Sequence, residues 1–198
     1  MQTRLRRVGG ALLKERSSEA PNGRVWVFGY GSLIWRADFP FAERRRARIT
    51  GWSRRFWQGS HDHRGVPDAP GRVVTLIADP TARCDGIAYL VEHPVFDHLD
   101  HREKNGYERR DVTLQFDTGS AAGVVYIAPV GNHAFLGPAP LEAMARQVLA
   151  SRGPSGANTE YLYALARALR ELDADDPHVF ELETLVRSLA TDGHPPAA

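Results

Sequence analysis

The chain has 198 residues, of which 42% are hydrophobic, so it has the size of one globular domain with a sizeable core. Its 25 basic and 24 acidic residues almost balance, which argues against a general affinity for nucleic acid or for an anionic membrane. Because Cys84 is the single cysteine, the chain cannot form an internal disulfide, and we expect a reducing, cytoplasmic location.

The composition changes along the chain predict one domain between two short terminal segments. Residues 1–24 are rich in charged and small residues and are expected to form a mobile extension. Residues 25–191 are expected to form the domain, and residues 192–198 a disordered tail. The apolar stretch 8–13 contains two glycines and ends at Lys14, so it does not resemble a signal peptide. No later stretch reaches the ~18 apolar residues of a membrane span.

Apolar runs bounded by turn residues predict about six strands. The predicted strands are 25–28, 47–58, 72–77, 86–91, 107–116 and 123–128. Most of them are joined by loops instead of helices, so a repeating parallel unit is not indicated. The pattern favours an α+β fold with a mixed, mostly antiparallel sheet or small barrel.

Helical spacing of apolar residues appears mainly in the last third of the chain. It predicts helices over 141–150 and 159–172, and Asp176 followed by Pro177 is a typical helix start. A shorter helix is predicted over 93–104, with Pro94 in its first turn. We expect these helices to flank the sheet.

The first candidate site is the glycine-containing turn at residues 28–33, which follows the first buried strand. Its two glycines allow consecutive N–H groups to point to one side, where they could bind a carboxylate or a phosphate. A plain strand-to-loop turn is the alternative. It is not a dinucleotide fingerprint, because Ile34 occupies the third glycine position and Pro40 interrupts the expected helix.

The second candidate is Glu103, whose position in the predicted short helix is unusual for an acid. It lies at i+4 from Leu99 and i+7 from Phe96, on the apolar side of the helix. Burial and the nearby C-terminal helix end both favour its neutral form, which suits an acid/base catalyst. The alternative is a structural ion pair with Arg102 or Arg109.

Two other groups of side chains have plainer interpretations. One is a basic cluster that could bind phosphates but is more typical of a solvated face, and it consists of Arg44, Arg45, Arg46 and Arg48. The other is a set of histidines without a supporting acid or cysteine pattern for a metal, namely His61, His63, His98 and His101. Cys84 is predicted to lie at a turn and has no evident activating base.

Five segments in order resemble the ChaC family of glutathione-specific γ-glutamylcyclotransferases. They are VWVFGYGSLIW, SRRFWQGSHDHRGVPDAPGRVVTL, LDHREKNGY, FLGPAPLE and GPSGANTEYLYALA, and they run from about residue 25 into the last helix. The resemblance implies a small β-barrel with flanking helices. It also implies cleavage of glutathione to 5-oxoproline without any cofactor. Asn105, where the family commonly has glycine, and the first 24 residues depart from the pattern.

The resemblance also implies roles for individual residues. Backbone amides of Tyr30, Gly31, Ser32 and Leu33 would hold the α-carboxylate of the γ-glutamyl group. Glu103 matches the catalytic glutamate of the family, and Tyr161 matches a tyrosine that lines its pocket.

Arg72 follows a PGR turn, and it either pairs with a substrate carboxylate or is a structural arginine at the barrel rim. We expect a small-molecule substrate, no nucleic-acid or membrane partner, and a monomer or weak dimer. The alternatives are a cyclotransferase for other γ-glutamyl amines and a non-catalytic nucleic-acid-binding barrel that uses the arginine cluster.

Overall fold

The structure is a computed structural model that describes residues 19–20, 23–102 and 106–192. The strands in these ranges are β1 (Glu19–Ala20), β2 (Arg24–Gly29), β3 (Glu43–Ser60), β4 (Gly71–Glu92), β5 (Glu108–Gln115), β6 (Ser120–Ile127), β7 (Arg152–Gly153) and β8 (Gly156–Ala157). The helices are α1 (Pro94–Arg102), α2 (Leu141–Ala150), α3 (Asn158–Glu171), α4 (Pro177–Asp192) and one 3-10 turn (Ser32–Ile34).

Strands β2 to β6 close into a barrel. Going round the barrel, β2 pairs with β4, β4 with β3, β3 with β5 and β5 with β6, all antiparallel. The parallel pairing of β2 with β6, at Val27↔Val124 and Phe28↔Val125, completes the ring. The predicted α+β fold with a small, mostly antiparallel barrel and flanking helices is confirmed.

The longest strands, β3 and β4, form one hairpin of 18 and 22 residues. The prediction of separate strands at 72–77 and 86–91 was wrong, because both segments belong to β4. Pro80 lies between them, where the pairing register with β3 shifts between Thr50 and Trp52. Its missing N–H therefore costs the ladder little. Gly51, with a φ of +84°, supplies the left-handed backbone on the β3 side of this irregularity.

Cys84 consequently lies within a strand, and its predicted place at a turn was wrong. It pairs with Ile49 on β3, and the residue is only 2% exposed. Burial raises the pKa of the Cys84 thiol to about 11. A thiol in this state is the opposite of an activated nucleophile.

Three of the helices pack together against β3 and β4, as the apolar spacing predicts. In α3 the buried side includes Leu162, Leu165 and Leu169. Helix α4 begins at the predicted place, where Asp176 Oδ1 accepts a hydrogen bond from the N–H of Val179 at 3.2 Å. Asp176 also forms an ion pair with Arg54 on β3, so the residue that starts α4 also docks it on the barrel.

The contact between α4 and the barrel uses a neutral histidine. The second register shift in β3 falls between Arg55 and Gln58, and there the N–H of Phe56 donates to Nε2 of His178 at 3.0 Å. Burial lowers the pKa of His178 to about 4, so the ring is neutral at neutral pH and can accept this hydrogen bond.

The chain termini lie partly outside the described residues. Glu19 and Ala20 pair with Val25 and Arg24, so a short strand precedes the predicted domain start. Residues 1–18 and 193–198, on which the predicted extension and tail mainly fall, lie outside the described residues, and those boundaries stay predictions. Among the helices in the described ranges, none is both long and apolar enough to cross a membrane.

We expect Cys84 to be unreactive in the folded protein, because it is buried and its pKa is raised to about 11. A chromogenic aromatic disulfide at pH 8 measures the reactive thiols. The native chain should release almost no chromophore, whereas the chain in denaturant should release one equivalent from its single cysteine. Full reaction of the native protein within minutes would contradict the buried position.

Candidate active site

The glycine turn after β2 folds back tightly on itself. A Cβ atom at Gly29 would lie 2.6 Å from Cβ of Leu33, so only glycine allows this approach. A Cβ atom at Gly31 would lie 3.0 Å from the hydroxyl of Tyr161 and 3.2 Å from a methyl group of Val74. Because neither glycine has a side chain, the loop backbone can pack closely against α3 and β4.

In this loop, some backbone carbonyl groups accept hydrogen bonds from the protein, whereas two N–H groups have no protein acceptor among the described residues. Carbonyl oxygens of Gly31 and Ser32 accept hydrogen bonds from the N–H groups of residues 34–36 and so form the 3-10 turn. In the described ranges, no protein group accepts a hydrogen bond from the N–H of Gly31 or of Leu33. The loop therefore retains donors that a bound anion could use.

A small cavity of about 70 Å³ lies against this loop. Its wall consists of Phe28, Gly29, Tyr30, Gly31, Ser32, Leu33, Val74, Tyr107, Tyr126 and Tyr161. The hydroxyl of Tyr161 accepts a long hydrogen bond, 3.5 Å, from the N–H of Val74, and the hydroxyl of Tyr107 donates to the carbonyl of Val74 at 3.3 Å. We call this space the inner cavity. Its wall combines aromatic rings with polar backbone and hydroxyl groups.

A wider cleft of about 330 Å³ adjoins the inner cavity. The two spaces share Ser32, Tyr107 and Tyr161 in their walls. Charged side chains from two loops line the wider space, among them Arg36 and Arg64, and α1 contributes His98. We call it the outer cleft. Together the two spaces could hold an elongated polar molecule with one end at the glycine turn.

The conformation of the glycine turn is supported by Arg54 on β3. This side chain is 2% exposed, and its Nε donates to the carbonyl oxygen of Tyr30 at 2.8 Å. The other guanidinium nitrogens donate to the carbonyl oxygen of Asp85 and to the carboxylate of Asp176. Arg54 therefore connects the loop to β4 and to the start of α4 without itself lining either space.

Arg72 does not reach the inner cavity or the outer cleft. It is 6% exposed, and its guanidinium donates to Gln147 Oε1 at 2.6 Å and to the carbonyl oxygens of Phe56 at 2.8 Å and Gly137 at 3.2 Å. These internal acceptors occupy the side chain, so the geometry argues against the expected pairing with a substrate carboxylate. It supports the structural alternative, in which Arg72 ties β4 to α2 and to the loop before it.

The proposed acid/base, Glu103, lies outside the described residues, as does Asn105. The helix that precedes it has the predicted buried arc, since Val95, Phe96 and Leu99 are all buried. Tyr107, four residues after Glu103, belongs to the walls of both spaces.

The basic cluster on β3 is occupied by contacts within the protein. Arg44 donates to the carbonyl oxygen of Ile34 at 3.3 Å, Arg46 to the carbonyl oxygen of Glu171, and Arg48 forms an ion pair with Asp85 at 2.8 Å. Arg45 lies over the rings of Trp26 and Phe116. These contacts and the exposure of Arg44, Arg45 and Arg46 support the interpretation of the cluster as a solvated face.

Three of the candidate histidines make separate contacts, and the side chain of the fourth, His101, lies outside the described residues. His61 faces the carbonyl oxygen of Pro67, His63 faces Ser155, and His98 lies 3.8 Å from Asp38. Within the described part of the chain, no three His, Cys, Asp or Glu side chains come together as a metal site.

The sequence did not identify Arg54, Tyr107 and Tyr126 as parts of the site. Arg54 and Tyr107 lie in two segments that carry the family resemblance, SRRFWQGS and LDHREKNGY. These segments marked both residues as candidates but did not indicate what either side chain does. Tyr126 lies in an ordinary strand pattern, and only closure of the barrel brings it to the cavity.

The barrel and its flanking helices form a fold that solved structures share. A crystal structure of a γ-glutamyl cyclotransferase specific to glutathione from yeast has 31% sequence identity and a TM-score of 0.79, covering 84% of this chain and 97% of that chain. A structure described as a γ-glutamyl cyclotransferase, with 15% identity and a TM-score of 0.51, covers 80% of this chain and 85% of its own, and shows the fold alone.

Sequence comparison identifies the family to which this chain belongs. A family model described as ChaC-like protein matches residues 25–189. γ-Glutamylcyclotransferase 2-3 of Arabidopsis thaliana is 45% identical over 183 residues, 85% of this chain and 91% of the relative. Glutathione-specific γ-glutamylcyclotransferase 1 of Homo sapiens is 44% identical over 151 residues, 72% and 68% of the two chains. The chain belongs to the ChaC-like family.

We expect Arg54→Met to lower the free energy of unfolding by about 3–5 kcal/mol, because it leaves the carboxylate of Asp176 without its buried cation. Two carbonyl oxygens also lose their donor. Denaturant unfolding followed by circular dichroism measures the change.

The matched control is Arg83→Met, because Arg83 is exposed on the neighbouring strand β4. Its free energy of unfolding should stay within ~0.5 kcal/mol of that of the parent chain. Similar losses for the two variants would show that the buried contacts of Arg54 add nothing to the fold.

Proposed function

We propose that this chain is a γ-glutamylcyclotransferase that cleaves glutathione into 5-oxoproline and cysteinylglycine in the cytoplasm. The observation that carries the proposal is its similarity to relatives named for this activity. One of them, the glutathione-specific γ-glutamylcyclotransferase of Schizosaccharomyces pombe, is 37% identical over 85% of this chain and 95% of the relative. The glycine turn that carries much of the resemblance forms a wall of the inner cavity.

The γ-glutamyl group of glutathione would occupy the inner cavity. Its α-carboxylate would accept hydrogen bonds from backbone N–H groups at residues 30–33. Support comes from the N–H groups of Gly31 and Leu33, for which no protein group in the described ranges is an acceptor. Tyr161 would line the other side, since its hydroxyl lies against Gly31. Arg72 is omitted from this set because its guanidinium is occupied inside the protein.

The reaction mainly requires that the enzyme hold the γ-glutamyl group in the conformation that closes the ring. The α-amine of the glutamyl group attacks its own γ-carbonyl carbon and closes a five-membered ring. The bond from that carbon to the cysteine nitrogen then breaks, and cysteinylglycine leaves. Because nucleophile and carbonyl belong to one molecule, binding in the ring-forming conformation supplies a large part of the rate. The step consumes no water and requires no metal or organic cofactor.

Glu103 would transfer the proton. It would take one proton from the substrate ammonium as the amine attacks and return it to the departing cysteine nitrogen. The ring nitrogen loses a second proton as it becomes the lactam N–H, and the released amine takes up one proton to become an ammonium group, so the overall proton count is unchanged. A backbone N–H or a hydroxyl would stabilise the oxyanion that forms at the γ-carbonyl. Support for Glu103 comes from its place after the buried arc of α1, from the REKNGY segment, and from the position of Tyr107 in the cavity walls.

We expect the chain to form equal amounts of 5-oxoproline and cysteinylglycine from glutathione, detected by mass spectrometry. Glu103→Gln should lower kcat by at least ~100-fold, because glutamine cannot accept the ammonium proton. Its melting temperature should stay close to that of the parent chain, since glutamine keeps the shape of the side chain.

The matched control is Asp97→Asn, which neutralises an exposed acid on α1 and should leave turnover unchanged. If Glu103 has only a structural role, the opposite result is expected for Glu103→Gln. Its variant would melt at a clearly lower temperature but turn glutathione over at a near-normal rate per folded molecule. That outcome would remove Glu103 from the mechanism, and absence of 5-oxoproline from the parent chain would contradict the function itself.

A further inference from the structure

We propose that Arg36 binds the terminal carboxylate of the cysteinylglycine half of the substrate and thereby selects the tripeptide over γ-glutamyl amines that lack this carboxylate. This inference rests on the proposed function, because it assumes that the γ-glutamyl group occupies the inner cavity. It assigns a role to a charged side chain of the outer cleft that the ring-closing chemistry does not use.

The walls of the two spaces determine where the second half of the substrate goes. The inner cavity, at about 70 Å³, is much smaller than the outer cleft, at about 330 Å³. Because Ser32, Tyr107 and Tyr161 belong to both walls, the spaces meet at these residues. A substrate with its glutamyl end at the glycine turn therefore extends its other end into the outer cleft.

Arg36 lies at the wall of the outer cleft, next to the loop that would hold the glutamyl end. Its backbone N–H donates to the carbonyl oxygen of Ser32 at 2.8 Å, which places it one turn of the chain after Ser32. The residue is exposed, and among the described residues no carboxylate pairs with its side chain. The guanidinium is thus available to an anion that enters the cleft.

The other basic and acidic groups of the cleft have partners of their own. Arg64 donates to the carbonyl oxygen of Ala157 at 3.0 Å and to Glu160 Oε2 at 3.2 Å. Two acids, Asp38 and Asp62, lie 3.8 and 3.7 Å from His98 and His63 respectively. Arg36 is therefore the arginine of this cleft that is not matched by a protein carboxylate, within the part of the chain that the structure describes.

The chemistry of the substrate complements this arrangement. In the cysteinylglycine half, the cysteine nitrogen is part of the amide bond that breaks, and the glycine carboxylate is the ionised group at neutral pH. Arginine binds a carboxylate through two parallel hydrogen bonds, which give direction as well as attraction. A contact so far from the reacting carbon contributes to substrate binding and orientation, and we expect it to act mainly on KM.

The test compares glutathione with its C-terminal amide, in which the glycine carboxylate is replaced by a neutral carboxamide. For the parent chain, kcat/KM should be about tenfold higher with glutathione than with the amide, as for one charge-assisted contact. Arg36→Gln should lose this preference through a higher KM for glutathione, with kcat and the kinetics of the amide nearly unchanged. Arg36→Lys should keep part of the preference, because it keeps the charge.

Arg83→Gln serves as the control, since Arg83 is exposed on β4 and is not part of the cleft wall. It should keep the full preference for glutathione. If Arg36→Gln keeps the preference, or loses activity equally with both substrates, the inference is wrong. These outcomes leave the proposed function intact because 5-oxoproline still forms in the parent chain. Absence of 5-oxoproline with both substrates in the parent chain would contradict the proposed function and the inference together.

Discussion

A buried guanidinium, that of Arg54, joins three parts of the fold that are far apart in sequence. It donates hydrogen bonds to the carbonyl oxygens of Tyr30 and Asp85 and to the carboxylate of Asp176. Burying such a charge costs several kcal/mol unless it is paired, and here the carboxylate and two carbonyl oxygens offset that cost. The partners are the glycine turn, the long strand β4 and the start of α4. The turn is thus fixed by the barrel and by α4 as well as by its own glycines, and its N–H groups are oriented before any ligand arrives.

Separate spaces for the two halves of glutathione would explain how so few polar groups can serve the reaction. The inner cavity would hold the glutamyl group in the conformation that closes the ring, and the outer cleft would hold the half that leaves. Interactions in the outer cleft lie far from the reacting carbon, so their binding energy can fix the orientation of the amide bond at the boundary between the spaces. Ser32, Tyr107 and Tyr161 form that boundary. Specificity and chemistry would then depend on different side chains.

Local sequence patterns predicted the parts of the fold that depend on neighbours in the chain. The buried strand before the glycine turn, the apolar side of α3 and the start of α4 at Pro177 all follow from spacing and capping, and the structure contains them. The single long strand β4 was missed, because the register shift that accommodates Pro80 depends on pairing with a distant strand. The sequence did not indicate a role for Arg54 and left a structural and a substrate-binding role open for Arg72, since the partners of their guanidinium groups lie up to 122 and 75 residues away. For Glu103 the evidence remains the sequence pattern and the family resemblance, and its role stays a prediction.

The proposed mechanism depends on the binding of the α-carboxylate of the substrate by the amides of the glycine turn. A crystal structure with glutaryl-cysteinylglycine tests it most directly, because this analogue keeps the carboxylate but lacks the amine and cannot cyclise. We expect the glutaryl carboxylate to lie ~2.7–3.2 Å from backbone nitrogens at residues 30–33, with the cysteinylglycine half in the outer cleft. A carboxylate bound elsewhere, with those N–H groups facing only protein acceptors or solvent, would contradict it.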